Sequence, residues 1–529
     1  MLLKNGNRII LVISIAALVA GTVLTGLSML GNSGGETYYM KTADDIWLRG
    51  VYFEGGSECV IICHGFSSDW TNTTRIKDAY KDAGYSVLLF DFTGHGESGG
   101  KVAFDNAQTD RLSHDIEAAV ESMKIRGFKT VEIILVGHSM GARSILQYAV
   151  DNPGLGGLVL IGAEVNLNTS RQASFFTGAV DVDMPYVRKL SGETPKAPAL
   201  ILTTSIDDIL PPDSAVLLYE AMGGESSSYT RDLLVLEDGG LHNYELFDRD
   251  VIEAAVTWVN DLSGNTEAGK IDFTKNNLWL AGLALILISP IILYYSIRKK
   301  KEKNLTVQIE KTTSFILSRL IIWLLAIPTG ALVGGIFFFI PLPKPFFSMQ
   351  FVIILGGYGV LATLLYRFGK MPFYRQKAHI LSIMFRKPVT NKVFSFILII
   401  VFTAISLVVR ISGFNKIFTG MDYILWYAVF TILMTLGFYI LNMESMMLEG
   451  CKRLKLLLWT LVKYMPFYLF AIFYGSLGST SGLAGAVQGI LFLVYGVYSA
   501  KVVRHFSDND LLAALTIALV TAVPFGAVF

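Results

Sequence analysis

The chain reads as an α/β domain with a mostly parallel sheet, inserted between an N-terminal transmembrane helix and a C-terminal bundle of about eight more. Three observations predict this. First, composition is 52% hydrophobic and only 16% charged, with a mean hydropathy of +0.50, whereas soluble globular domains carry about 25% charged residues. Second, the long apolar stretches cluster at the N-terminus and in the second half of the 529 residues. Third, the segment between them has ordinary composition and alternates strand-like with helix-like runs. The expected organisation is therefore an anchor over 1–35, an extracytoplasmic α/β domain over 36–270 and a polytopic helical membrane domain over 271–529.

The anchor is Ile9 to Leu30, an uncharged run preceded by Lys4 and Arg8. It is longer than the apolar core of a cleaved signal peptide, about 7–15 residues, which favours an uncleaved helix, although the Gly-Asn-Ser-Gly-Gly that follows leaves cleavage open. Eight further stretches lie near Leu278–Ile297, Phe315–Ile340, Phe351–Leu365, Val393–Val409, Tyr423–Leu441, Leu456–Tyr474, Leu483–Ala500 and Leu511–Phe529. The second is long enough for a tilt or a break near Pro328.

Lys and Arg in short loops set orientation. With the N-terminus inside, the cytoplasmic segments hold twenty basic residues and the opposite short loops three. This makes an integral multi-pass protein of about nine spans, with a cytoplasmic N-terminus and residues 36–270 outside the cytoplasm. The basic loops read as topology signals beside anionic lipid. Seven of them fall within 367–392, which could lie along the interface. Net charge is +1, so nothing points to a nucleic-acid partner. Within the spans Arg319 and Lys463 sit near the inner edge, where long side chains can snorkel, and no buried Asp or Glu is expected to mark an ion path.

In the α/β segment, Tyr38–Lys41 and Ile46–Phe53 read as an antiparallel pair. Strands follow at Cys59–Cys63, Ser86–Phe92, Glu132–Val136, Leu158–Ile161, Ala199–Thr203 and Leu233–Leu236, as short apolar runs suited to a sheet buried on both faces. Helices fall at Thr74–Ala83, Arg111–Lys124, Ala142–Val150, Asp213–Met222 and Asp250–Leu262. Ligands on such sheets bind beyond the strand C-termini. The three cysteines form no disulfide framework, because Cys59 and Cys63 on one strand would stand roughly 13 Å apart.

The chemistry centres on Gly137-His138-Ser139-Met140-Gly141. It fits G-x-S-x-G between a strand and a helix, the setting in which the glycines allow a sharp turn that exposes the serine Oγ. Ser139 is thus the candidate nucleophile. A serine needs a base, commonly histidine. Of the seven histidines, His242 alone follows Ser139 within this segment, just after the last strand. The acid is expected in Thr204-Ser205-Ile206-Asp207-Asp208, after the preceding strand, with Asp207 favoured and Asp208 open. An oxyanion hole needs two aimed N–H donors. Met140 and the loop His64-Gly65-Phe66, through the N–H of Phe66, are the candidates.

These residues, with Asp91-Phe92-Thr93-Gly94-His95-Gly96-Glu97-Ser98 and Asp207 four before Pro211, resemble the α/β-hydrolase superfamily, within it the serine aminopeptidase and monoacylglycerol-lipase-like group. The resemblance covers about 36–263. It implies an α/β-hydrolase fold, a structural role for His95, and a cap in the 164–195 insertion, whose Phe175, Phe176, Met184, Pro185 and Tyr186 would form an apolar pocket or pack on the core. It implies acyl transfer to a serine and includes esterases, lipases, thioesterases, peptidases and acyltransferases, so ester, thioester and amide substrates all remain open. No metal spacing or nucleotide fingerprint is present, and no cofactor is expected. The expected partners are a small-molecule, lipid or peptide substrate and membrane lipid. An acyltransferase to a membrane acceptor, or a transport or signalling protein with a ligand-binding hydrolase-like domain, are the alternative readings.

Overall fold

A computed structural model describes residues 5–28, 34–66, 68–100, 106–163, 194–207, 210, 212–237, 239–240, 242–265, 270–297, 311–338, 346–373, 389–414, 421–448, 451–466, 468 and 480–525. The chain forms two compact units. One comprises Leu30–Lys275; the other holds Met1–Met29 and most of the chain from Asn276 onward.

The first unit is built on eight strands: β1 (Glu36–Lys41), β2 (Trp47–Phe53), β3 (Cys59–Cys63), β4 (Ser86–Phe90), β5 (Ile133–His138), β6 (Gly157–Ile161), β7 (Ala199–Thr204) and β8 (Arg231–Leu236). Their order in the sheet is β1-β2-β4-β3-β5-β6-β7-β8. The β1–β2 and β2–β4 pairs are antiparallel, and the pairs from β4 through β8 are parallel. Every predicted strand is present, with shifts of a few residues at the ends.

Both faces of the sheet are covered, which is why its strands are continuous apolar runs rather than alternating ones. Side chains alternate between faces along a strand. Ile61, Leu88, Leu135 and Ile201 therefore join one core, packed by α3 (Asn106–Ile125), α4 (Met140–Asp151) and α5 (Pro212–Ala221). Val60, Ile62, Val136 and Leu202 join the other, packed by α2 (Thr74–Asp82) and α6 (Arg249–Ser263). Cys59 and Cys63 are buried and unpaired.

The second unit is helical, with α1 (Asn5–Leu27), α7 (Thr274–Ile297), α8 (Thr312–Phe338), α9 (Phe346–Arg367), α10 (Lys392–Phe414), α11 (Met421–Met447), α12 (Arg453–Lys463), α13 (Thr480–Ser507) and α14 (Asp510–Phe525). Among the described residues five helices are long and apolar enough to cross a membrane: Arg8–Leu27, Thr274–Ile297, Thr312–Leu332, Lys392–Val409 and Tyr427–Met447. Two shorter apolar helices are Ile353–Arg367 and Asp510–Ala522.

Three points of the helical unit bear on the sequence reading. First, α8 runs through Pro328 without a break. Second, α12 is continuous to Lys463; Met465, Pro466 and Tyr468 are again helical, and the rest of the expected stretch to Tyr474 lies outside the described residues. Third, Arg319, Glu444 and Lys463 are buried in the unit rather than snorkelling, with side-chain exposures of 0, 0 and 8%. Glu444 lies just past the apolar stretch on α11, where Arg319 of α8 meets it at 2.8 Å. Opposite charge on an adjacent helix is what lets both be buried. Lys463 donates to Asn442 Oδ1 and Ser445 Oγ.

Candidate active site

Because the strands from β4 to β8 run parallel, their C-terminal ends share one edge of the sheet. The segments singled out by sequence all leave from that edge: His64-Gly65-Phe66 after β3, Ser139 after β5, Asp207 after β7 and His242 after β8.

Ser139 has φ 55° and ψ −116°, a region that a non-glycine residue enters only under constraint. The constraint is twofold. Its N–H donates to Ile161 O at 2.9 Å, and its carbonyl accepts from Arg143 N–H at 3.1 Å, so it is pinned between β6 and the first turn of α4. A side chain at Gly141 would stand 2.4 Å from Cys63 O, and one at Gly137 would stand 2.6 Å from Ala142 N. Both motif glycines are thus required by close approach. The serine stands at the N-terminal end of α4, where unpaired N–H groups and the helix dipole favour negative charge.

His242 opens a short helical turn, His242–Phe247. Its Nδ1–H donates to Asp207 Oδ2 at 2.7 Å. The second Asp207 oxygen accepts from Leu210 N–H at 2.8 Å. Both side chains are buried. A carboxylate on Nδ1 leaves Nε2 as the bare nitrogen, the one a general base uses. The His138 ring lies against that of His242, centroids 4.7 Å apart, so the imidazole sits beside the residue preceding Ser139. Asp208 lies outside the described residues, as does the insertion over 164–193.

The loop after β3 is oriented by a histidine. Phe92 N–H donates to His64 Nε2 at 3.1 Å, so Nδ1 carries the hydrogen and donates to Gly65 O at 2.8 Å. A trans peptide directs its C=O and N–H oppositely, so the N–H of Phe66 faces away from His64. A side chain at Gly65 would come 3.3 Å from Ser139 Cβ, so this peptide adjoins the serine. Met140 is the first residue of α4.

Two buried carboxylates brace the neighbouring loop. Asp91 accepts from Trp70 and Glu97 N–H, both at 2.8 Å. Asp115 accepts from Thr93 N–H at 2.7 Å and Thr93 Oγ1 at 2.8 Å. Burial pushes both carboxyls up to about 7, against the pull of those donors. His95 Nδ1 lies 3.1 Å from Thr93 O, within the same loop.

Sequence reasoning missed Glu245. It sits three residues after His242 and meets His138 Nε2 at 3.2 Å. The i,i+3 spacing puts it on one face of the turn with His242, but the sequence reading held no turn over these residues. His138, His242 and Glu245 bring their ligand atoms within 4.8 Å of one another. One ring nitrogen of each histidine is hydrogen-bonded within the protein, His242 Nδ1 to Asp207 and His138 Nε2 to the His242 carbonyl.

Residues 57–182 match the family described as serine aminopeptidase, S33. The domain has the α/β-hydrolase fold and resembles that family. The matched stretch carries His64-Gly65-Phe66 and Ser139 and ends before Asp207 and His242. An uncharacterized protein of Mycobacterium tuberculosis is 29% identical over 251 residues, 45% of this chain and 82% of that protein. A thermostable monoacylglycerol lipase of a Bacillus species is 25% identical over 216 residues, 34% of this chain and 82% of the lipase. Among solved structures, an esterase of Pyrococcus furiosus aligns with a TM-score of 0.35 at 21% identity, over 43% of this chain and 92% of the esterase.

Proposed function

We propose that the hydrolase domain is a serine hydrolase in which Ser139, His242 and Asp207 form the catalytic triad, with the N–H groups of Phe66 and Met140 as the oxyanion hole. The observation that carries this reading is the 2.7 Å hydrogen bond from His242 Nδ1 to buried Asp207, on a ring that lies against His138, the residue before a serine held at φ 55°. Ser139 Oγ attacks the substrate carbonyl carbon while its proton passes to His242 Nε2. The imidazolium returns that proton to the leaving group as the carbonyl–leaving-group bond breaks. Water then attacks the acyl-enzyme, giving its proton to His242, and the acid departs as Oγ is reprotonated.

The bond cleaved is an ester, thioester or amide. We place an ester first because one relative is a monoacylglycerol lipase, and we take lipid or another acylated small molecule as substrate. The chain is organised as an anchor over 1–35, an extracytoplasmic hydrolase over 36–270 and a polytopic membrane domain over 271–529. It is a multi-pass protein of about nine spans with a cytoplasmic N-terminus, a reading supported by apolar length and by the basic residues of alternate loops.

A fluorophosphonate probe should label the wild type and spare Ser139→Ala; equal labelling of both rejects the nucleophile. A panel of p-nitrophenyl esters and aminoacyl amides then sorts the bond type. Products formed with and without a lipid acceptor separate hydrolysis from acyl transfer.

A further inference from the structure

Among its described residues the helical unit buries two cations, Arg319 and Lys463, and only the first has an acid. Arg319 meets Glu444 at 2.8 Å. The ammonium of Lys463, at the end of α12, is met by neutral groups: Asn442 Oδ1 at 3.3 Å and Ser445 Oγ at 3.1 Å, both on α11, and the ring of Tyr464 at 5.2 Å. Glu444 and Asp510, on neighbouring helices, are spent on other cations, Glu444 on Arg319 and Asp510 of α14 on Arg504 of α13 at 2.6 Å. At longer range Lys501 of α13 repels Lys463 and Glu444 attracts it. A buried ammonium without a counter-charge is costly.

The fold nevertheless holds this lysine in one place. Trp459 Nε1–H donates to the same Ser445 Oγ at 3.0 Å, and the Ser445 hydroxyl donates to Leu441 O at 2.7 Å. Trp323 of α8 donates to Val462 O, next to Lys463, at 3.0 Å. With its hydrogen spent on Leu441, Ser445 can only accept from Lys463. An ammonium has three N–H donors. Asn442 and Ser445 take two, which leaves the third for a ligand. Lys501 brings a second charge, its Nζ standing 4.4 Å from the ring of Tyr498 and 5.2 Å from that of Tyr294 on α7. Asn442 and Ser445 lie in the last two turns of α11, and Lys501 in the last two of α13, so the amines gather near helix ends. On the topology proposed above these ends are cytoplasmic, beside the negatively charged leaflet.

We propose that Lys463 and Lys501 form an anion site between α11, α12 and α13 that takes a phosphate group, supplied by the headgroup of an anionic lipid or by soluble phosphate. Lysine binds phosphate as a point charge. One phosphate oxygen accepts the third N–H of Lys463, and the charge spread over the others faces Lys501. The site stands apart from the triad; only the lipid as source rests on the membrane reading above.

The test is a titration of the full-length protein in a neutral detergent, followed by tryptophan fluorescence, since Trp459 and Trp323 border the site. Dioctanoyl phosphatidylglycerol is compared with dioctanoyl phosphatidylcholine, and sodium phosphate with sodium chloride at equal ionic strength. The wild type should bind the anionic lipid or phosphate about tenfold or more tighter than its control. Lys463→Gln should weaken that binding about fivefold or more, the worth of one basic group, and Lys463→Arg should retain most of it. Arg453→Gln, which removes an exposed charge from the first turn of α12, should weaken it less. Binding of phosphatidylglycerol without a response to phosphate identifies a lipid site, and a response to phosphate a site open to soluble anions; either sustains the proposal. Binding of neither above its control overturns it. So does binding that Lys463→Gln and Arg453→Gln weaken equally, which is general attraction to the basic loops. Should Lys463→Gln fail to fold, Lys501→Gln takes its place with the same expected loss, and unchanged binding there overturns the site equally. A chain that stays in solution without detergent removes the membrane reading and the lipid with it, while the phosphate arm still decides the site.

Discussion

Buried carboxylates occur in both units, and the two units satisfy them with different donors. In the hydrolase domain Asp91 takes the N–H groups of Trp70 and Glu97, Asp115 that of Thr93, and Asp207 that of Leu210. In the helical unit Glu444 is met by side chains from other helices: Arg319 Nε at 2.8 Å, Tyr358 Oη at 2.6 Å and Tyr366 Oη at 2.8 Å. The difference follows from where each carboxylate or its donors lie. A strand that ends, or a loop that turns, leaves backbone N–H groups without ladder partners. The interior of an α-helix spends every N–H on the carbonyl four residues back. A carboxylate between helices must therefore find its donors on other side chains. The hydrolase domain can bury negative charge at strand ends and still present it to a histidine, whereas the bundle buries it by neutralising it.

The largest effect expected from breaking this contrast is at Asp207. In Asp207→Asn the amide should still accept from Leu210 N–H, so the loop holds, but the tautomer of His242 is no longer fixed. We expect kcat to fall by about 10⁴-fold, with the melting temperature little changed. A variant of unaltered kcat would show that Asp207 is a loop brace like Asp91 and nothing more.

Glu444→Ala should act in the opposite sense, on stability and not on chemistry. It leaves the Arg319 guanidinium buried without its counter-charge, a loss of about 3–5 kcal/mol. The midpoint of thermal aggregation in detergent should drop, while the rate per fluorophosphonate-labelled site stays that of the wild type. The double variant Arg319→Met with Glu444→Leu should recover most of the loss, because an apolar pair of similar volume avoids the desolvation of two charges. A double variant as unstable as Glu444→Ala would mean that the ion pair specifies the packing of α8, α9 and α11.

A comparable effect is expected from pH. Asp91 and Asp115 have carboxyl pKa values pushed up to about 7, so the folded domain binds protons that the unfolded chain releases near pH 4. Their contribution to stability is fully present below about pH 4 and is lost as pH rises through about 7. Denaturant unfolding followed across that window should show a decline of several kcal/mol, on the order of 4 kcal/mol for each carboxyl, and Asp115→Asn should flatten part of it. His138, held low by burial, works against the trend by favouring the fold above the ordinary histidine range. A stability that rises steadily from pH 4 to 7 would mean that the backbone donors, not burial, control these two carboxylates.

How much of this could be read beforehand differs between the units for the same physical reason. The strands were legible because continuous apolar runs such as Cys59–Cys63 and Ile133–Val136, bounded by turns, admit few other structures. The setting of the motif around Ser139 and the chain order of acid and base follow from the topology of the sheet, so His242 was named from chain order, and Asp207, which meets it at 2.7 Å, was favoured with Asp208 left open. Glu245 was passed over because a glutamate on a polar loop ordinarily faces water, and only the third dimension places His138 and Gly162 around it. Glu444 was passed over because pairing between helices depends on rotation and register that hydropathy does not encode. A glutamate just beyond an apolar stretch looks like a boundary until Arg319 is seen facing it. The length of the Phe315–Ile340 stretch allowed either a tilt or a break near Pro328, and α8 continues through it, as neighbouring groups allow within a bundle.

The smallest prediction carries the same principle to the surface. Asp248 caps α6, accepting from the N–H groups of Asp250 at 2.9 Å and Val251 at 3.2 Å. One turn on, Arg249 and Glu253 form an exposed i,i+4 pair at 3.0 Å, with side-chain exposures of 64 and 41%. If the decisive feature of a carboxylate is access to otherwise unpaired backbone N–H groups, Asp248→Ala should cost about 1 kcal/mol and Glu253→Ala no more than about 0.5 kcal/mol. The salt response should separate them further. The ion pair between solvated side chains is screened by added salt, while the cap is a pair of short hydrogen bonds and should persist in 1 M NaCl. Equal losses for the two variants, both vanishing at high salt, would reduce the cap to one more surface charge and weaken the claim that element ends are where this domain satisfies its carboxylates.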